Sequence, residues 1–189
     1  SATRTAMSPM SGRHNVLNAT AAIALAAEAT DARLDELLGS RRTVRGVRRR
    51  QELLGTADGV RVYDDFAHHP TAVRETLAGL RTRHPEGKLW AVVEPRSATA
   101  SRNLHQAAYP SAFGSADATL LAPVGRPEIA DAERLDVRAI ADAIRDRGAE
   151  ADAPESLDAV LARLVEGARA GDTVVLMSNG SFGGLHDRL

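Results

Sequence analysis

The sequence predicts an α/β fold with a mainly parallel sheet and helices on both of its faces. Two observations lead to this prediction. Short apolar or β-branched runs alternate with stretches of helix length over residues 46–189, and this alternation is typical of the crossover connections in a parallel sheet. Of the 189 residues, 43% are hydrophobic and 26% are charged, which is the balance of a globular domain and not that of a disordered chain.

The first 45 residues have a helical character of their own. Alanine is the best helix former, so the alanine-rich residues 12–30 predict one helix. Residues 31–38 predict a second helix, with Thr30 as its N-cap and Gly39 just beyond its end. We therefore expect two parts, residues 1–45 and residues 46–189, with the boundary inside an arginine-rich segment.

The second part contains the alternating elements in order. The expected strands cover residues 60–64, 88–93, 118–122 and 173–177, with a weaker one near residues 149–151. The expected helices between them cover residues 71–83, 103–114, 137–147 and 156–168. In the first of these helices, Val73, Leu77 and Leu80 fall on one face, which predicts that this face packs on the sheet.

The composition excludes several classes of function. The chain has no cysteine, which rules out disulfides, a thiolate nucleophile and thiolate metal ligands, and which is compatible with a reducing, cytoplasmic location. The net charge of -1 gives no overall attraction to nucleic acid or anionic lipid, and the longest apolar run, residues 19–29, is too short to cross a bilayer. Six arginines lie between residues 41 and 50, but aromatic residues are scarce and no binding motif accompanies them. We expect no nucleic acid and no membrane as partners.

Residues capable of chemistry follow the ends of three predicted strands. Open parallel sheets bind their ligands beyond the carboxyl ends of the strands. The segments at those ends are residues 64–70 (DDFAHHP), 94–97 (EPRS) and 178–184 (SNGSFGG). We call these three segments together the carboxyl edge, and we expect them to form one ligand-binding surface.

The carboxylates and imidazoles of the first segment allow several roles. Asp64 and Asp65 could bind a metal, accept a phosphoryl group, hold a ribose through its hydroxyls, or cap the next helix. His68 and His69 precede Pro70 at the start of that helix, where backbone N–H groups favour an anion. A metal-dependent hydrolase built on these two aspartates and two histidines is therefore one alternative. A phosphoacceptor signalling domain is a weaker one, because residues 122–123 and 177–178 lack the aspartate and lysine that it needs.

Polar groups elsewhere add further candidates. The guanidinium group of Arg96 can bind a carboxylate or phosphate through two hydrogen bonds, or it can form a surface ion pair. The glycine-rich segment after the last strand offers N–H groups for close approach to a ligand. In the first helix, His14, Asn15 and Asn18 lie on nearly one side of the opening turn, where they either face a ligand or cap the helix.

Five ordered motifs resemble the C-terminal part of the Mur ligase family. They are residues 12–18 (GRHNVLN), 46–50 (GVRRR), 64–70 (DDFAHHP), 94–97 (EPRS) and 177–180 (MSNG). The motifs span nearly the whole chain, and together they are far more specific than any one alone. The resemblance implies that residues 46–189 form a Rossmann-like C-terminal domain and that residues 1–45 are the tail of a truncated central ATPase domain.

The resemblance also implies an activity, its cofactors and its partners. Such ligases use ATP and Mg²⁺ to phosphorylate a carboxyl group of UDP-N-acetylmuramate, and an amine then attacks the acyl phosphate to form an amide. Residues 94–97 and 177–180 favour the branch that adds the cell-wall peptide L-alanyl-γ-D-glutamyl-meso-diaminopimelate in peptidoglycan recycling. The other three motifs are shared with the branch that adds L-alanine, which stays an alternative.

The chain carries only part of such an enzyme. It contains no G-x-x-x-x-G-K-[ST] phosphate loop, and the resemblance implies that the Mg²⁺ ligands lie mainly in the central domain. We therefore expect the chain to be inactive alone and to work with the N-terminal and central domains of the same enzyme.

Residue roles follow motif by motif from the resemblance. The expected cofactor-binding residues, on the ATP side, are His14, Asn15, Asn18, Arg49, Arg50 and Asp65. The expected catalytic residues are His68, His69 and Arg96. The expected substrate-binding residues are Asp64, Arg96, Ser97, Asn179 and Gly180, and no metal ligand is expected. Ala98 and Ser181 stand where the family usually has asparagine and glycine, and these two departures concern the peptide specificity.

Overall fold

The chain folds around a six-stranded sheet with the strand order β1-β2-β6-β3-β4-β5. A computed structural model describes residues 12–40, 46–126 and 128–189. The strands are β1 Glu52–Ala57, β2 Val60–Asp65, β3 Leu89–Val93, β4 Ala118–Leu121, β5 Glu150–Asp152 and β6 Thr173–Met177. The helices within the described residues are α1 Arg13–Ala29, α2 Leu34–Ser40, α3 Pro70–Arg83, α4 Tyr109–Ala112, α5 Val137–Arg145 and α6 Leu157–Gly167, with 3₁₀ helices at Asn103–His105, Asp131–Glu133 and Phe182–Asp187.

The sheet is parallel except at one edge. Strands β2, β6, β3, β4 and β5 run parallel to one another, whereas β1 pairs antiparallel with β2. The β1–β2 hairpin turns at Asp58 and Gly59, whose φ angles of 50° and 80° are those of a tight two-residue turn. The mainly parallel sheet is therefore confirmed, but β1 was not predicted. All of its residues after Glu52 are exposed, so its sequence lacks the apolar pattern of a core strand.

Helices cover both faces of the sheet, as predicted. On one face, side chains of α3, α4 and α5 such as Leu77, Tyr109 and Ile140 pack with alternate residues of the strands. On the opposite face, α6 and the 3₁₀ helix Phe182–Asp187 contribute Leu164 and Phe182 to a second core. The α/β class is confirmed, and the apolar face predicted for α3 is fully buried.

Two of the predicted helices differ from the structure. The helix expected over residues 103–114 is instead a 3₁₀ turn followed by the short α4. Pro110 lies in the first turn of α4, where it has no N–H to donate to the carbonyl of Gln106 and its ring crowds that carbonyl, so a continuous helix through residues 103–114 is disfavoured. Helix α2 begins at Leu34 and includes Gly39, whereas the hydroxyl of Thr30 donates to the carbonyl of Ala26 in α1 and does not cap α2.

The segment before the sheet contacts α3 through the start of α1. A Cβ atom on Gly79 of α3 would lie 3.1 Å from the backbone nitrogen of Gly12, so the two segments touch backbone to backbone. The apolar side chains of Val16, Leu17 and Leu25 are 52%, 53% and 71% exposed. No described helix has both the length and the apolar character of a membrane span. The expected boundary at residues 45 and 46, and the arginines at positions 41, 42 and 45, involve residues outside the described ranges.

Asp172 ties together the amino ends of two neighbouring strands. The buried carboxylate of Asp172 accepts hydrogen bonds from the backbone N–H groups of Lys88 and Arg169, at 2.9 and 3.0 Å, and from the indole N–H of Trp90 at 3.1 Å. Burial by itself raises the pKa of Asp172, but these bonds and the charge of Lys88 outweigh it and lower the pKa below 3.8. The ionised carboxylate is therefore part of the folded structure.

We expect Asp172→Ala to lower the free energy of unfolding by about 2–4 kcal/mol at neutral pH, because three donors lose their acceptor. The folded pKa lies below the unfolded value, so this stabilisation is present above pH 3.8 and is lost as the pH falls through the folded pKa. Urea unfolding from about pH 7 to about pH 3 measures the difference. Asp158→Ala, which removes an exposed ion pair with Arg188, is the control. A difference from wild type that persists unchanged in acid would contradict this role.

Candidate functional site

The carboxyl ends of the neighbouring strands β2, β6 and β3 lie at one edge of the sheet, and the connections that follow them go to opposite faces. Strands β2 and β3 lead to α3 and α4 on one face, whereas β6 leads to the 3₁₀ helix on the other. Backbone hydrogen bonds join the three strand ends: the N–H of Ser178 donates to the carbonyl of Asp65 and the N–H of Glu94 to that of Met177, at 3.1 and 3.0 Å. This divergence is the place where open α/β sheets bind ligands, and the three segments of the carboxyl edge lie side by side there, as predicted.

Arg96 lies over the glycine of the last segment. The buried carboxylate of Glu94 accepts a hydrogen bond from the hydroxyl of Ser178 at 2.5 Å and lies 3.4 Å from a guanidinium nitrogen of Arg96. A Cβ atom on Gly180 would lie 2.7 Å from Nε of Arg96, so glycine leaves the space in which this side chain rests. The side chain of Arg96 is still 46% exposed. Its charge is therefore oriented by Glu94 and is open to a ligand.

Ser97 and Asn179 differ in what their polar atoms contact. The hydroxyl of Ser97 accepts a hydrogen bond from the N–H of Ala100 at 3.0 Å and shapes the turn after Arg96. The side-chain oxygen of Asn179 is buried, and within the described residues it has no hydrogen-bond partner. A buried acceptor without a partner is costly, so this oxygen is suited to a donor supplied by a ligand.

Arg49 joins two segments of the carboxyl edge. Its Nε is 3.1 Å from a carboxylate oxygen of Asp64, and one terminal nitrogen donates to the carbonyls of Ser178 and Gly180, both at 2.7 Å. Its guanidinium group also lies 5.3 Å from the ring centre of Phe66. The orientation of the Arg49 side chain is thus determined by groups of its own chain, and its predicted contact with a nucleotide stays a prediction.

Arg50 differs from Arg49 in its surroundings. The residue is exposed, and its side chain makes no hydrogen bond or ion pair with any other residue in the described part of the chain. The backbone N–H of Arg50 donates to the carbonyl of Val47 at 3.1 Å, which fixes the turn before β1. Of the two arginines predicted to contact a nucleotide, Arg50 is the one whose guanidinium group is available.

Asp65 is turned into the protein. One oxygen accepts from the N–H of Gln51 at 2.8 Å, and the other accepts from the N–H of Ala67 at 2.8 Å and the hydroxyl of Thr76 at 3.2 Å. Burial raises the pKa of Asp65 above 3.8, and the hydrogen bonds oppose this only in part. The carboxylate therefore holds the backbone before β1 against the backbone after β2, and its predicted nucleotide contact stays a prediction.

The two predicted histidines lie on the outer side of the same segment. His68 is half-buried, its Nδ1 donates to the carbonyl of Phe66 at 2.9 Å, and its own carbonyl accepts from the hydroxyl of Tyr109 at 2.7 Å. Burial raises the pKa of Tyr109 to about 12, so this hydroxyl remains a donor. The Nδ1 atom of His69 accepts a weak hydrogen bond of 3.4 Å from the N–H of Thr71 at the start of α3.

A third histidine, His105, completes this group, and it was not predicted from the sequence. The rings of His69 and His105 meet edge to face with their centroids 4.3 Å apart. Burial and the nearby charges of His105 and His68 lower the pKa of His69 below 6.5. His69 is therefore neutral at neutral pH and can accept a proton. His105 belongs to a segment predicted as ordinary helix and is part of no motif, so only the fold could reveal it.

The start of α1 approaches the carboxyl edge through Gln51. A Cβ atom on Gly79 would lie 2.9 Å from the side-chain nitrogen of Gln51 and 3.1 Å from the nitrogen of Gly12, so the segments carrying Arg50 and the polar turn of α1 are neighbours. In that turn, Asn15 is buried and Asn18 is exposed. Nδ1 of His14 is buried and has no hydrogen-bond partner within the described residues. The structure therefore places the segments that carry His14 and Arg50, two of the residues predicted to bind the nucleotide, next to each other.

The carboxyl edge is open, and its aspartates do not form a metal site. Three surface cavities of about 410, 470 and 640 Å³ lie around β4, β5, α5 and α6, and no residue of the carboxyl edge lines them. Within the described residues, no group of three histidine, aspartate or glutamate side chains is arranged to hold a metal ion. Because Asp64 and Asp65 bind partners of their own chain, the metal-dependent hydrolase is not supported.

The fold and this edge define a Rossmann-like α/β domain that presents cationic, imidazole and amide groups to a ligand at an open surface. Residues 49–180 match the family described as "Mur ligase, glutamate ligase domain". The chain belongs to the Mur ligase family, whose members form amide bonds, and the resemblance seen in the motifs is confirmed.

Individual relatives agree with this assignment. Over 183 residues the chain is 38% identical to the UDP-N-acetylmuramate–L-alanyl-γ-D-glutamyl-meso-2,6-diaminoheptandioate ligase of Escherichia coli, a match covering 94% of this chain and 37% of that protein. It is 36% identical over 176 residues to the UDP-N-acetylmuramate–L-alanine ligase of Caulobacter vibrioides, covering 92% and 37%. The crystal structure of a murein peptide ligase from Psychrobacter arcticus superposes with a TM-score of 0.70 at 35% identity, covering 97% of this chain and 38% of that one. The chain thus spans about 37% of the length of these curated relatives.

Proposed function

We propose that this chain is the C-terminal part of an ATP-dependent ligase that joins UDP-N-acetylmuramate to L-alanyl-γ-D-glutamyl-meso-diaminopimelate in peptidoglycan recycling. The observation that carries the proposal is the 38% identity, over 94% of the chain, to a ligase whose name states this pair of substrates. In this proposal, residues 46–189 are the C-terminal domain and residues 1–45 are the tail of the central ATPase domain. The N-terminal and central domains of the same enzyme are its partners.

ATP is proposed to bind to the exposed or unpaired polar groups of Arg50 and His14. Bound ATP would supply the phosphoryl group that activates the carboxylate. The exposed guanidinium group of Arg50 binds phosphate oxygens, and the buried, unpaired Nδ1 of His14 offers a hydrogen bond to the nucleotide. Asp65 keeps Arg50 in place through the neighbouring N–H of Gln51. The ligands of Mg²⁺ are proposed to lie in the central domain.

The peptide is proposed to bind to the polar groups around Gly180, those of Arg96 and Asn179. Arg96 binds a carboxylate of the peptide through its exposed guanidinium group, and the unpaired oxygen of Asn179 accepts a hydrogen bond from a peptide nitrogen. The attacking amine must lose a proton as the amide bond forms. His69 is proposed to accept it, because its imidazole is exposed beside His105 and burial and the neighbouring imidazoles lower its pKa below 6.5, which keeps it neutral. His68 and Ser97 hold the backbone of the two segments that carry His69 and Arg96, through their hydrogen bonds to Phe66 and Ala100.

A substrate comparison with the full-length protein tests the proposal. With ATP and Mg²⁺, UDP-N-acetylmuramate should be joined to the tripeptide, with kcat/KM at least about tenfold higher than with L-alanine. Release of ADP and the mass of the product are the measurements. Preference for L-alanine would favour the alternative, which the 36% identity to the Caulobacter enzyme keeps open. No ADP release with either acceptor would contradict both. The 189-residue chain alone is expected to release no ADP, because it carries no phosphate loop.

A further inference from the structure

The last 3₁₀ helix carries a histidine that reaches the carboxyl edge and has no role in the proposed reaction. His186 lies near the end of Phe182–Asp187, and its side chain is 17% exposed. Phe182 and Leu185 of this helix are fully buried in the second core, so the backbone that carries His186 is firmly attached to the sheet. Nε2 of His186 is 3.1 Å from a carboxylate oxygen of Asp64. A histidine thus contacts the carboxyl end of β2, in the first segment of the carboxyl edge.

Asp64 connects His186 with Arg49. One carboxylate oxygen accepts from His186, and the other is 3.1 Å from Nε of Arg49. Asp64 is only 6% exposed, and a buried carboxylate needs both of its oxygens satisfied. Each partner therefore fixes the rotation of the carboxylate for the other.

Arg49 in turn holds the backbone on both sides of Asn179. Its terminal nitrogen donates at 2.7 Å to the carbonyl of Ser178 and at 2.7 Å to the carbonyl of Gly180. These are the two residues that flank Asn179, whose buried side-chain oxygen has no hydrogen-bond partner within the described residues. The direction of that oxygen depends on the flanking peptide groups, and hence on the position of Arg49.

We infer that His186 is a positioning residue, which acts through Asp64 and Arg49 to hold Asn179 in the orientation that receives the peptide. The identity of the ligand in this inference depends on the proposed function, whereas the chain of contacts does not. Asp64 and Arg49 were predicted to contact substrate and nucleotide directly. In this inference their effect on the reaction is exerted through Asn179.

Kinetics of the full-length ligase test the inference. His186→Ala should raise KM for the peptide about tenfold and leave KM for ATP within about twofold, because a misdirected binding group weakens one substrate selectively. His186→Gln should restore most of the peptide affinity, since its amide nitrogen can donate to Asp64 from a similar position. The matched control is Arg188→Ala, just after the same 3₁₀ helix, which breaks an exposed ion pair with Asp158 of α6 and should change neither KM. Equal increases in both KM values, or no rescue by glutamine, would overturn the inference.

An NMR measurement on the isotope-labelled 189-residue chain separates this inference from the proposed function. His186→Ala should shift or broaden the side-chain amide signals of Asn179 and the backbone amide signal of Gly180, and Arg188→Ala should not. Arg49→Lys, which keeps the charge but cannot bind Asp64 and both carbonyls together, should reproduce the changes with His186 intact. If wild type has no ligase activity and the signals still move, the proposed function fails and the positioning role stands. Unmoved signals in both variants would refute the positioning role whatever the activity.

Discussion

Arg96→Ala in the full-length protein is expected to lower kcat/KM for the peptide on the order of 100-fold, with little change in kcat/KM for ATP. The side chain of Arg96 is 46% exposed, and its ion pair with Glu94 is long at 3.4 Å, so most of its donor groups are free for a ligand. Loss of a charge-assisted contact to a peptide carboxylate is therefore the main consequence. Steady-state kinetics with each substrate varied in turn measure it.

Two further variants make the Arg96 prediction specific. Arg102→Ala removes an exposed arginine that pairs with Glu133 near the same loop, and it should leave the peptide kinetics unchanged. Gly180→Ala places a Cβ atom against Arg96 and displaces its side chain while keeping its charge, so it should cause an intermediate loss of about tenfold. Near-normal peptide kinetics in Arg96→Ala and Gly180→Ala would contradict the assignment of the peptide side.

Asp65→Ala is expected to lower the free energy of unfolding by about 3 kcal/mol, because two buried N–H groups and the hydroxyl of Thr76 lose their acceptor. A loss of activity in this variant would therefore not identify a nucleotide contact. Thr76→Val removes one of the three donors and should cost about 1 kcal/mol. Urea unfolding measures both variants, and an Asp65→Ala variant as stable as wild type would contradict the role of Asp65 in joining the strand ends.

The pH dependence of Asp65→Ala should be opposite to that of Asp172→Ala. Burial raises the folded pKa of Asp65 above 3.8, so the folded state binds this proton more tightly than the unfolded state. The contribution of Asp65 to stability is therefore fully present below the unfolded value and falls as the pH rises through the folded pKa. The difference between wild type and Asp65→Ala should be largest in acid, where the difference for Asp172→Ala disappears.

The sequence predicted those elements whose apolar residues are buried. Strands β2, β3, β4 and β6 were located within a residue or two, because runs such as Leu89–Val93 and Thr173–Met177 are buried throughout. Strand β1 escaped prediction because it lies at the edge of the sheet and buries none of its apolar residues. The helix predicted over residues 103–114 failed because its composition favoured a helix that Pro110 interrupts.

The sequence predicted which segments form the candidate site, but it did not predict the side-chain contacts within that site. Local sequence indicates that two aspartates end β2, but it cannot indicate that Asp65 turns inward to Thr76 whereas Asp64 meets His186. The second of these contacts joins residues 122 positions apart. Such pairings depend on the order of strands in the sheet, and neither composition nor motif spacing determines that order.

The antiparallel first strand determines where the polypeptide enters the domain. Six residues of strand extend for roughly 20 Å, so a first strand running the other way would leave Arg49 and Arg50 at the far end of the sheet. Because β1 pairs antiparallel with β2, the residues that lead into β1 lie at the carboxyl edge, where Arg49 contacts Asp64. Arg49 and Gln51 there have left-handed φ angles of 57° and 47°. A change in the backbone at this entry point would consequently alter the surroundings of Asp64 and Asp65 before it altered the packed core.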